Sequence, residues 1–143
     1  MNTNKTVLGG IVGGVAFFFV GWAVWGILLD SYYNQHNGCP GFMRTDDEMM
    51  GKMLWMVLSN LASGFMLAIV FGWANVGSAT DGAKYGAIIG LLNAMSFNFG
   101  FYAMSNMFDS LNPHLVDTIS SAAVFGVIGG IIGWIMNRGN TAE

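Results

Sequence analysis

Four long apolar stretches, about residues 7–29, 53–74, 83–108 and 115–136, are separated by short runs of turn-forming and charged residues. Each is close to or longer than the roughly 20 residues that cross a bilayer core as a helix. With flanking caps included, the pattern predicts helices over 7–29, 46–74, 80–109 and 113–136, and one outer loop over 30–45. The expected fold class is all-α: a single membrane domain over 1–143, built as an integral bundle of four transmembrane helices with both termini on the same side.

The punctuation between the stretches has its own chemistry. Asn34, Asn37, Gly38, Pro40 and Gly41 are turn formers that end the first span. Thr45-Asp46-Asp47-Glu48 has the form of a capping box, which starts the second helix about two turns before its apolar part. Gly77, Ser78 and Thr80 suit a tight turn with a cap at Ser78 or Thr80, so the second and third helices are expected to be antiparallel neighbours. Asn112 followed by Pro113 reads as a cap and first residue of the last helix.

Small residues recur inside the apolar stretches. Gly9, Gly10, Gly13 and Gly14 open the first span, Gly64 lies in the second, Gly86 and Gly90 in the third, and Gly126, Gly129, Gly130 and Gly133 in the fourth. In a membrane, where helices associate by close packing, such glycines are candidate packing seams. A four-residue row through the third span reads Gly82, Gly86, Gly90, Ala94, Asn98, Tyr102, Asn106. It advances 40° more than one turn per step at 3.6 residues per turn, so its glycine half and polar half are expected to face different surfaces.

Composition strengthens the membrane reading. Of 143 residues, 54% are hydrophobic and only 9% charged, against about 25% charged in ordinary soluble domains. A net charge of −3 argues against a nucleic-acid partner, which would call for a basic face. The first stretch is longer than a secretory h-region and no A-x-A-like site follows, so it reads as a span rather than a signal. Lys5, Lys84 and Arg138 fall on the side of the termini and Arg44 and Lys52 on the other. This bias places both termini in the cytoplasm of a bacterial inner membrane. Asp30, Asp46, Asp47, Glu48, Asp109 and Asp117 then lie at the outer side.

Polar residues gather in that outer half. Asn60, Asn98, Tyr102, Asn106, Asp109, His114, Asp117 and Ser121 form a candidate ligand or ion site, with Asn98, Tyr102, Ser105 and Asp109 on one helical face. The plainer reading makes Asp117 a partner of its helix dipole, Asp109 a solvated end, and the asparagines ties between helices. Met49, Met50, Met53 and Met56 follow His36, Cys39 and Met43, ligand types that suit Cu(I). No spacing there enforces a metal geometry, and methionine is a common gap filler; no metal or cofactor is assigned. One cysteine excludes an internal disulfide, and no nucleophile with a base, phosphate loop or H-E-x-x-H occurs. An enzyme is not expected.

The segment Leu8-Gly9-Gly10-Ile11-Val12-Gly13-Gly14, the pairs Gly21-Trp22 and Trp25-Gly26, and Gly86-x-x-x-Gly90 resemble a family of small bacterial four-helix membrane proteins of unknown function. The likeness spans most of the chain and departs at the outer loop, which here is acidic and holds Cys39. It implies the architecture and carries over no functional residues. The function expected is a binding, scaffolding or accessory subunit of a larger membrane assembly, surrounded by lipid and using a surplus glycine face for a second copy or another membrane protein. The alternative is transport or gated binding of a small polar solute, a proton or a lipid headgroup through the outer polar cluster.

Overall fold

A computed structural model describes residues 2–138, which are helical apart from short links. Its helices are α1 (Thr3–Ala23), which continues through a π-helical segment, Val24–Leu28, α2 (Asp30–Gln35), α3 (Asp46–Met50), α4 (Met53–Trp73), α5 (Ala79–Met104) and α6 (Asn112–Asn137). Four of these, counting Thr3–Leu28 as one, are long and apolar enough to cross a membrane, so the chain is a multi-pass, all-helical membrane protein. For brevity the end of the bundle opposite the chain termini is called the far end.

Several predicted boundaries move, each for a local reason. The loop expected over 30–45 begins with helix, because α2 carries the chain on from the π segment. The helix expected over 46–74 is broken at Gly51–Lys52 into α3 and α4. Glu48 accepts from the Thr45 backbone N–H at 3.0 Å and from its hydroxyl at 3.2 Å, fixing the start of α3. Those bonds hold the Glu48 carboxyl below its ordinary range. The third helix stops at Met104 rather than Asp109, with Ser105 extended at φ −143° and ψ 160°. Ser105 caps this end by donating its hydroxyl to the Phe101 carbonyl at 2.8 Å. At the start of α5 the Ser78 hydroxyl accepts from the Asp81 N–H at 3.0 Å. Asn112 is the first residue of α6, and its side chain makes no capping bond.

The packing order is α4, α1, α6, α5: α4 lies along α1, α1 against α6, and α6 against α5. The expectation that the second and third spans pack as neighbours therefore fails. Their short link joins helices that find better partners, and the partners are chosen by glycine. A methyl group on Gly82 would strike the carbonyl of Gly129 and lie 3.0 Å from the Gly133 Cα, and one on Gly86 would strike the Phe125 carbonyl. On the other side, Gly64 is pressed onto the backbone of Gly10, Gly13 and Gly14. Backbones at this separation exchange dispersion contacts that a side chain would prevent. Where α1, α4 and α6 meet, Phe17, Leu67, Phe71, Ile128 and Ile132 form the apolar core.

Gly82, Gly86, Gly90, Ala94 and Asn98 are all buried along this seam, so Asn98 shares the glycine surface instead of turning away from it. A repeat longer than 3.6 residues stays on one contact line only when helices wrap around each other in the right-handed sense.

Candidate functional site

At the far end of that seam, one carboxylate gathers donors from three segments. Asp117, the sixth residue of α6, accepts from Trp25 Nε1 at 2.8 Å and Tyr33 OH at 3.4 Å through Oδ1, and from Asn98 Nδ2 at 2.7 Å through Oδ2. Asn98 Oδ1 meets His114 Nδ1 at 3.1 Å. With the Asn98 amide nitrogen committed to Asp117, its oxygen is the acceptor, and His114 carries its proton on Nδ1. The His114 carbonyl accepts from the Thr118 hydroxyl at 2.8 Å. His114 is 1% exposed and makes T-shaped contacts with the Tyr102 and Phe108 rings, centroids 5.7 and 5.0 Å away.

The π segment explains why Trp25 and Tyr33 reach the same oxygen. Eight residues of regular α-helix would rotate Tyr33 roughly 80° past Trp25. The wide turn closed by Leu29 N–H to the Val24 carbonyl at 2.9 Å absorbs one extra residue and returns the two side chains to one side. Tyr33 also stacks on Phe108, centroids 5.4 Å apart. Burial, reinforced by the Asp117 charge, pushes its phenol well above its ordinary range.

A short antiparallel backbone bridge holds the link after α2 to the link after α5. Gly38 N–H donates to the Met107 carbonyl at 3.1 Å and Asp109 N–H to the His36 carbonyl at 3.0 Å. Gly38 is needed because a Cβ there would lie 2.5 Å from the Asn106 carbonyl oxygen.

Beneath this bridge is a cavity of about 870 Å³. Asp117 and Asn98 line it from α6 and α5, and Trp25, Tyr33, Phe97, Phe101 and Phe108 give it aromatic walls. Phe42, Met43, Arg44, Asp46 and Met49 line it from the loop and α3, while Asp30 and Asn34 contribute from α2. The volume falls within the range of sites that enclose small organic ligands.

Of the eight polar residues singled out in the sequence, Asn98, His114 and Asp117 are joined directly, and Tyr102 touches them through its ring. Ser121 is buried on the same seam one turn along, its carbonyl facing Gly90. Asn60 stands apart, donating to the Met56 carbonyl of its own helix at 2.7 Å and lining a second groove with Arg44 and Lys52. Asn106 and Asp109 lie in the link beyond α5, exposed, with Asp109 accepting from the Ser110 hydroxyl at 3.0 Å. Asp117 lies beyond the first turn of α6, so its partners are side chains and not the helix terminus. Trp25 and Tyr33 are not among the polar residues that the sequence singles out, yet both donate to Asp117. Their eight-residue spacing gives no signal, because a regular helix would separate them.

His36 Nδ1 lies 2.9 Å from the Tyr32 carbonyl and Cys39 is exposed. Among the described residues no group of three or more His, Cys, Asp or Glu side chains is placed to hold a metal. Comparison with protein-family models, curated proteins and solved structures finds no match to this chain.

Proposed function

We propose that the protein binds a small amphiphilic solute in the far-end cavity and gives it gated access to or across the membrane. The observation that carries this reading is the lining: a partly buried carboxylate with three donors forms part of the wall of a large aromatic cavity. A carboxylate serving only to tie helices together would be enclosed by packed side chains. The Lys and Arg bias supports a bacterial inner-membrane setting with cytoplasmic termini, which puts the cavity at the external face.

The test is ligand-dependent stabilisation of the purified protein across a panel of small solutes. A solute at about 100 times its Kd adds about 2.7 kcal/mol to stability. The expected result is a rise in unfolding temperature for at least one solute, lost in the double variant Met49→Trp/Phe97→Trp, which fills the cavity from two walls. A panel with no effect on the wild type, or a rise that persists in the filled variant, overturns the proposal.

A second reading, an accessory subunit of a larger membrane assembly, draws on one different observation. Asn93, near the middle of α5, is exposed and makes no hydrogen bond to the described residues. An amide at that depth gains from a protein partner that lipid tails cannot replace.

A further inference from the structure

The geometry points to a ligand class for the cavity: we propose that it selects hydrophobic organic cations whose charge is diffuse, of the quaternary ammonium or phosphonium type. The inference rests on the proposed binding function of the same cavity and adds the chemistry of its occupant.

Charge decides the sign. Asp30, Asp46 and Asp117 line the space against a single guanidinium, Arg44. Trp25, Tyr33, Phe97, Phe101 and Phe108 contribute aromatic side chains to the lining, and aromatic rings attract cations. An anion would meet three carboxylates against one guanidinium.

Hydrogen-bond valence decides the kind of cation. Asp117 already receives Trp25 Nε1, Tyr33 OH and Asn98 Nδ2. Those donors hold the carboxylate in place and occupy most of its lone pairs. What it still offers a ligand is charge rather than acceptor sites. At Asp117 a primary ammonium finds few free acceptors to replace the hydration it loses, whereas a quaternary cation has no N–H to satisfy. The cavity therefore favours the ion whose desolvation is cheapest and whose surface is apolar.

Tetraphenylphosphonium and tetraphenylborate are suitable probes, being nearly identical in size and shape and opposite in charge. Equilibrium binding to the full-length protein in detergent is measured for both, with the Met49→Trp/Phe97→Trp variant subtracting partition into micelles. The expected result is saturable binding of the phosphonium alone, weakened about tenfold or more by Asp117→Asn, a change worth at least one decade of affinity for a lost charge at close range. Asp30→Asn and Asp46→Asn, outside the hydrogen-bonded hub, should each weaken it by a smaller factor with helicity unchanged, which keeps the test decisive if Asp117→Asn fails to fold. Equal or tighter binding of the borate, or phosphonium binding insensitive to all three substitutions, overturns the cation assignment while leaving the cavity as a binding site. No specific binding of either probe, with other solutes still stabilising the protein, overturns the ligand class alone; no solute acting at all overturns both proposals.

Discussion

Asp117 shows how a charge is kept inside a membrane helix. An uncompensated carboxylate costs on the order of 3 kcal/mol at mid-bilayer and less toward a helix end, where Asp117 lies, and three donors from α1's extension, α2 and α5 offset the cost that is left. The arrangement also binds Tyr33 to its protonated state. Burial and the nearby Asp117 charge raise the folded-state value of this phenol above the ordinary 10. The stability contributed is thus complete below about pH 10, the unfolded value, and declines as pH rises beyond it. In an alkaline titration followed by phenolate absorbance, one of the four tyrosines should ionise last, together with unfolding. Tyr33→Phe should remove that final step, and its persistence in the variant would refute the assignment.

At the scale of elements, glycines divide into those in contact with a neighbouring backbone and those with space beside them. Gly82 and Gly129 face each other's carbonyls, whereas the nearest atom to a methyl on Gly130 is the Ala79 carbonyl at 3.5 Å. Alanine at Gly82 or Gly129 should force α5 and α6 apart and destabilise by about 1–3 kcal/mol. Gly130→Ala should be neutral or stabilising by up to about 1 kcal/mol, since alanine is the better helix former. Denaturant unfolding of the three variants in one detergent separates these outcomes; equal effects at all three sites would contradict the packing described.

For the whole molecule, the glycines expected to offer a surplus face to another protein are spent within the chain. Gly13 meets Ile132 and Gly64, and Gly133 meets Ser78 and Gly82. An assembly surface, if the accessory reading holds, has to lie elsewhere, and the Asn93 face of α5 is where it is proposed. Asn93→Leu should alter the stability of the isolated protein by no more than about 0.5 kcal/mol and reduce the native mass of the complex extracted in mild detergent. A mass equal to one chain in the wild type, or one unchanged by the substitution, would count against that surface.

The number and approximate extent of the spans were legible in the sequence because hydrophobic length is a local quantity, and so were the caps at Thr45 and Ser78. The polar residues of the site were partly legible: Asn98, His114 and Asp117 were among eight polar residues that the sequence gathers in the outer half. Which of them meet was decided by tertiary structure. Asn60 and Asp117 occupy the same end, yet one bonds to its own helix and the other to three segments. Pairing of α5 with α6, and of α4 with α1, depends on which glycine surfaces are complementary in shape, a property of two helices together. The π turn that brings Trp25 and Tyr33 to one oxygen has no signature in residue periodicity. It exists because the partners it satisfies lie 84 and more residues away, where local propensity carries no information.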